Sequence, residues 1–156
     1  MKRFFFDCGT RDATASLGLF VLRVGAGLMM LLGHGLPKLQ DYASMKNGWP
    51  TANIWPLTHL PSEVSFICTL VAEVGAAGLI VLGLMTRPAA FYLGFVMVVA
   101  AFQVMGAAPW FPTQAVPMAK EGALMYLLPA VVLILSGPGA WSFDAVIYRE
   151  GKRRRW

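Results

Sequence analysis

Charged side chains are scarce in this sequence, at 13% of 156 residues against 57% hydrophobic. A soluble domain of this length cannot bury so much apolar surface, and a mean hydropathy of +0.60 puts the chain in the class of small, single-domain integral membrane proteins. Cysteine is nearly missing as well. The two present, Cys8 and Cys68, form no Cys-x-x-Cys dithiol and fall on opposite sides of the topology derived below, which argues against disulfide exchange. Histidine is limited to His34 and His59, with no ligand spacing, so no metal site is expected. The chain has no Gly-rich phosphate loop, no Ser-His-Asp set and no internal repeat. Its net charge of +5 does not point to nucleic acid, because the basic residues gather at the chain ends and form no stripe interleaved with aromatics.

What the chain does have is four apolar stretches. Ser16 to Leu36 makes a first span, long enough at about 1.5 Å per residue to cross a core of about 30 Å, and Pro37 is expected to end it. The second runs from Ser62, with Glu63 in its first turn, to about Met85; the third runs from Pro88 to about Met105. The fourth occupies roughly Pro117 to Ser136 and stops at Gly137, Pro138 and Gly139. A turn as short as Thr86-Arg87-Pro88 makes spans two and three antiparallel neighbours. The two long loops, rich in Trp and Pro, are expected at the headgroups. The first span is full length with no Ala-x-Ala site after it, so it reads as retained.

Orientation follows from Lys and Arg. Lys2, Arg3, Arg11, Arg87, Arg149, Lys152, Arg153, Arg154 and Arg155 lie on one side, and only Lys38, Lys46 and Lys120 on the other. The positive-inside rule then makes both termini cytoplasmic. The expected fold class is all-α, an integral membrane antiparallel four-helix bundle in the bacterial inner membrane. Residues 1–14 form a cytoplasmic or interfacial amino-terminal segment, 15–136 the transmembrane domain and 137–156 a basic cytoplasmic tail.

Polar residues inside these stretches mark a candidate site, because a charge at bilayer depth costs roughly 2.5 to 3.5 kcal/mol and so turns toward a bundle interior. At 100° per residue Arg23, Ala26, Gly27, Met30 and His34 share one face of span one; Thr69, Glu73, Ala76, Ala77 and Ile80 share one face of span two. Glu73 lies near midplane, too short to reach water, and is expected to be paired or protonated. Arg23 leans toward the cytoplasm and Glu73 away from it, whereas His34 leans toward Glu73 with about 7 Å of axial offset, so Glu73 with His34 is the favoured pair. Arg23 either joins the site or extends to the inner headgroups. Near the outer ends stand Lys38, Gln103 and Glu121. Lys38 and Glu121 either pair across the mouth of the bundle or act singly, the lysine at the interface and the acid at a helix amino terminus.

Several local runs fit together in order and spacing. They are the arginine-bearing first span with Gly33-His34-Gly35-Leu36-Pro37-Lys38-Leu39, the Glu73 span ending in Gly83-Leu84-Met85-Thr86-Arg87, the Glu121 opening of span four, and Gly137-Pro138-Gly139-Ala140-Trp141-Ser142-Phe143-Asp144. Over roughly residues 15 to 145 the chain resembles the DoxX family of small bacterial membrane proteins. The resemblance implies a four-helix membrane bundle and an association with quinone-linked sulfur oxidation and membrane redox complexes. By motif match it points to Arg23, His34, Lys38, Glu73, Arg87, Glu121 and Asp144, with Arg87 and Asp144 in structural roles, Asp144 as a cap or a partner of Arg87.

The leading expectation is a membrane subunit of a quinone-linked oxidoreductase, with His34 and Glu73 in proton transfer and Arg23, Lys38, Gln103 and Glu121 binding substrate. No cofactor is evident in the sequence. Membrane lipids, quinone or another small hydrophobic ligand, and a homo-oligomer or a hetero-complex with a redox partner are the expected associations. Two alternatives stand beside it: a small transporter or lipid-handling protein, and a structural anchor for a soluble partner.

Overall fold

The first helix opens on Asp12, whose carboxylate accepts a hydrogen bond from the Ala15 amide at 2.8 Å and so caps one of the free amides of the first turn. From there α1 runs over Ala13–Gln40. The computed structural model describes residues 9–10, 12–55, 57–114 and 116–153, with side chains as far as Tyr148. Cys8, Arg11, Pro56, Arg154, Arg155 and the remaining ends of the chain lie outside the described residues, as do the side chains of Arg149, Lys152 and Arg153.

Among the described residues every regular element is helical. After α1 come α2 (Ser62–Leu82), α3 (Thr86–Val104), α4 (Glu121–Ser136) and α5 (Phe143–Arg153). The first three are long and apolar enough to cross a membrane; α4 is apolar but shorter, at 16 residues. Their outward faces carry large apolar side chains such as Val21, Leu32, Phe91, Leu128 and Leu135, which suits a hydrocarbon surrounding.

Helices α1, α3 and α4 begin at Ala13, Thr86 and Glu121, where the sequence suggests Ser16, Pro88 and Pro117, so Thr86-Arg87-Pro88 is the first turn of α3 and the α2–α3 turn is Gly83-Leu84-Met85. Two helix ends differ as well, each for a local reason. Pro37 does not end α1. A π-helical turn at Leu31–Gly35 precedes it, so Pro37 enters the first turn of the next α segment, where its missing N–H costs little, and the helix continues to Gln40. The second helix ends at Leu82 and not at Met85. Gly83 takes the left-handed conformation (φ +70°), and its own amide and that of Leu84 bond back to the carbonyls of Ile80 and Leu79, closing the helix.

Contacts join α1 to α2, α2 to α3, α3 to α4, and α1 to α4. The shared core holds Met30, Ile80, Leu93, Met97 and Leu133, and otherwise alanines: Ala72, Ala76, Ala77, Ala89, Ala90, Ala101, Ala123 and Ala130. Small side chains let helix backbones approach closely, which in lipid replaces the hydrophobic drive that water would supply.

The molecule therefore has two ends. At the tail end meet the start of α1, the α2–α3 turn and the segment from Gly137 into α5: the Ala140 amide donates to Ser16 Oγ at 3.2 Å and the Asp144 amide to the Gly83 carbonyl at 2.9 Å. At the loop end lie the connections 41–61 and 105–120. The first is tied to α2 by Tyr42, which donates to Glu63 at 3.0 Å, and by Ser65, whose hydroxyl donates to the Pro50 carbonyl at 3.1 Å. The Glu63 bond raises the Tyr42 phenol above its ordinary pKa of 10.

Candidate functional site

Glu73 is 4% exposed, and its partner is Lys38: Nζ lies 2.5 Å from Oε1 and 2.6 Å from Oε2. The carboxylate thus holds the ammonium with both oxygens, on a lysine side chain that keeps 20% of its surface. The same Nζ sits 5.2 Å from the centre of the Trp49 ring, and Trp49 in turn packs on Phe66 at 4.8 Å. An ion pair this dry persists because each charge is satisfied by the other; removing one partner leaves an uncompensated charge at a cost of about 3 to 5 kcal/mol.

The register that brings the two together comes from the π turns. The buried stripe of α1 reads Ser16, Arg23, Gly27, Met30, and then Gly35, not His34. A π turn spends one more residue than an α turn, so the face that regular periodicity assigns to His34 passes to Gly35 and, three residues on, to Lys38. Gly35 is required by the same contact: a Cβ there would fall 2.7 Å from the Glu73 carbonyl oxygen. Glu73 also lies in a π turn, Val71–Ala76, and Gln103 in a third, Ala100–Val104. Such turns concentrate at functional sites, and no feature of composition or spacing in the sequence announces them.

The pair lines a cavity of about 940 Å³. Its wall is mostly apolar and rich in methionine, with Met30, Met45, Met97, Met105, Met118 and Met125 around it. Besides Lys38 and Glu73, the ionisable and polar groups on the wall include His34, Cys68, Glu121 and Tyr126. His34 is exposed, on the outer rim, its ring edge-on to Tyr126 at 5.3 Å. Glu121 is half-buried in the first turn of α4, where its amide donates to the Trp110 carbonyl at 3.1 Å.

The favoured sequence pairing of Glu73 with His34 is therefore replaced by Glu73 with Lys38, and the carboxylate that Lys38 holds is Glu73 and not Glu121. Both differences follow from reading α1 as ideal and as ending at Pro37. Lys38, His34, Glu73 and Glu121 do share one cavity. Gln103 is half-buried and is not part of its lining. Among the described residues no three His, Cys, Asp or Glu side chains converge as a metal would need.

Arg23 stands apart from this cavity. It is 2% exposed at the tail end, where Nη1 donates to the carbonyls of Ile80, at 3.1 Å, and Val81, and Nη2 donates to that of Trp141. The carbonyls of Ile80, which also accepts from the Gly83 amide, and Val81 lie at the end of α2 and that of Trp141 precedes α5, so the guanidinium completes the hydrogen bonding of a helix end, and its positive charge lies at the negative end of the α2 dipole. Phe20 covers it at 5.1 Å. Asp144 does the converse for α3. It is wholly buried, and its two oxygens accept from the amides of Met85, at 2.8 Å, and Thr86, at 2.9 Å, capping the α3 amino terminus. Arg87 is half-buried in the first turn of α3.

The family model for DoxX matches residues 18–106, more than half of the chain and containing all of α2 and α3 and most of α1, with both members of the ion pair. The Glu121 opening of α4 and the Gly137 to Asp144 run lie beyond the matched residues. No curated protein and no solved structure gives a significant match.

Proposed function

The chain belongs to the DoxX family of membrane proteins, and from that premise we propose that it is the multi-pass, four-helix membrane subunit of a quinone-linked oxidoreductase in the bacterial inner membrane, with both termini cytoplasmic. The observation that carries this reading is the Lys38–Glu73 pair on the wall of an otherwise apolar cavity. A ligand with an anionic head would be repelled by Glu73 and one with a cationic head by Lys38. A neutral head that both accepts and donates hydrogen bonds meets a complement in each, and the methionine-rich wall adapts to the apolar body attached to it. A quinone is such a ligand.

Reduction of a quinone takes two electrons and two protons, one proton to each ring oxygen. The electrons come from a partner protein in a hetero-complex, and Lys38, Glu73 and His34 are wall groups able to hold and pass a proton. Arg23 and Asp144 act in this reading as structural groups. The test is binding of a short-chain ubiquinone analogue to the purified full chain in detergent, compared with Glu73→Gln, which keeps a hydrogen-bonding side chain of the same shape. The reading expects weaker binding by the variant at equal folded fraction. Unchanged affinity removes Glu73 from the site, and no binding by the wild-type chain overturns the quinone reading.

A further inference from the structure

The cavity occupies only one half of the helices. Its deepest wall residues are Met30 on α1, Glu73 on α2, Tyr92 on α3 and Tyr126 on α4, and the remainder of the wall comes from positions nearer the loop end or from the two connections themselves, including Trp49, Leu60, Pro112 and Met118. No described residue on the tail side of that level lines it. From Glu73 to the end of α2 at Leu82 the chain advances about 14 Å; Ala77, Ile80, Ala130 and Leu133 are buried there, and a shallow second pocket of about 270 Å³, lined by Gly75, Leu79, Met85 and Ala89 and bordered by Tyr92, opens between α2 and α3 on the outer surface.

Beyond that packing the tail end is closed a second time by hydrogen bonds. Arg23 binds the last carbonyls of α2 and that of Trp141, and Asp144 binds the first amides of α3. Ser142 is buried between them, its Oγ donating to Gly139 at 2.8 Å and accepting from Ala145 at 3.2 Å. In the loop-side half the wall is open by contrast, at its side as well as near the connections: Met125, Phe95 and His34 on the helices and Met118 on the second connection line the cavity and also reach the outer surface of the molecule.

We propose that the cavity is blind, so that its ligand, and the protons that ligand gains or loses, exchange only with the leaflet and the aqueous phase on the loop side. The inference rests on the reading of the cavity as a ligand site, and it adds the direction from which that site is served. It also bears on the transporter alternative, since passage to the other side has to break the packed half and the Arg23 and Asp144 contacts together.

Cys68 is a built-in reporter, because it lies on the cavity wall with a free, half-buried thiol. The experiment exposes the full chain, in spheroplasts and in inverted membrane vesicles, to a small, permanently cationic methanethiosulfonate that does not cross lipid. Modification of the Cys68 peptide is followed by mass spectrometry, which resolves it from Cys8. Two marker variants at exposed positions, Thr58→Cys on the first connection and Val146→Cys on α5, identify which membrane preparation presents which end. Cys68 is expected to react in the preparation that labels Thr58→Cys and to stay unmodified in the one that labels Val146→Cys. Reaction from the tail side, equal reaction from both sides, or none from either overturns the proposal. A parallel arm with a short-chain ubiquinone analogue reads the ligand assignment separately: one-sided labelling that the analogue fails to slow leaves the blind cavity standing and removes the quinone from it.

Discussion

The loop-side and tail-side halves of this protein bury charge in opposite ways. In the tail-side half Arg23 and Asp144 are spent on backbone, the arginine on carbonyls that end α2 and precede α5, the aspartate on amides that begin α3. Neither leaves room beside it. In the loop-side half Lys38 and Glu73 are spent on each other, and the space next to them stays open as a cavity of about 940 Å³. A buried charge that satisfies helix ends fixes architecture, and a buried pair facing a void is available to a ligand. The sequence marks Arg23 and Glu73 alike, as charges inside apolar spans, and only their partners separate the two uses.

If that division holds, substitutions at the tail end should cost stability and spare binding. The largest effect is expected for Asp144→Ala, which strands the buried amide of Thr86 and the part-buried amide of Met85 and lowers stability by about 3 kcal/mol. A depressed unfolding midpoint in detergent, with unaltered quinone-analogue affinity in the fraction still folded, would show it. A loss of affinity in that folded fraction would break the comparison. Gly83→Ala is the next test: its φ of +70° disfavours any Cβ by about 1 to 2 kcal/mol, and the added carbon would lie 2.8 Å from an Arg23 guanidinium nitrogen.

The loop-side counterpart is Gly35→Ala. The new methyl meets the Glu73 carbonyl oxygen and must push α1 from α2, at a cost of about 1 to 3 kcal/mol, and it shifts Lys38 relative to Glu73. Here stability and ligand affinity should fall together, measured by thermal unfolding and by titration of the analogue. Affinity unchanged alongside a real loss of stability would detach the helix crossing from the site. The smallest effect is expected for Gly25→Ala, which faces open space and should change stability by between zero and about 1 kcal/mol in the favourable direction. Denaturation midpoints compared with wild type measure it, and a clear destabilisation would show that this face of α1 is covered.

Much of the fold was legible in the sequence because apolar length is a strong signal. Three membrane-length helices, a shorter fourth apolar helix and the short α2–α3 turn all lie close to where hydropathy and the Thr86-Arg87-Pro88 run suggest. The importance of Glu73 was legible too, since a midplane carboxylate has few bland explanations. Its partner was not. Choosing between His34 and Lys38 depends on one extra residue in the turn at Leu31–Gly35, and that shift exchanges which side of α1 looks inward. Pro37 compounded the difficulty, because a proline ordinarily ends a helix and here it follows a widened turn that accommodates it. The part played by Arg23 was hidden for a different reason. Its acceptors are main-chain carbonyls, which every sequence possesses, so no residue type marks them.

The claim that the loop-side pair serves a ligand while the tail-end contacts serve the fold is tested most directly by the rise in unfolding temperature that a saturating quinone analogue produces, since a ligand stabilises only what it binds. Wild type and Gly83→Ala should show equal rises from different starting temperatures, and Glu73→Gln should show little or none. An undiminished rise in Glu73→Gln, or its loss in Gly83→Ala, would contradict the account.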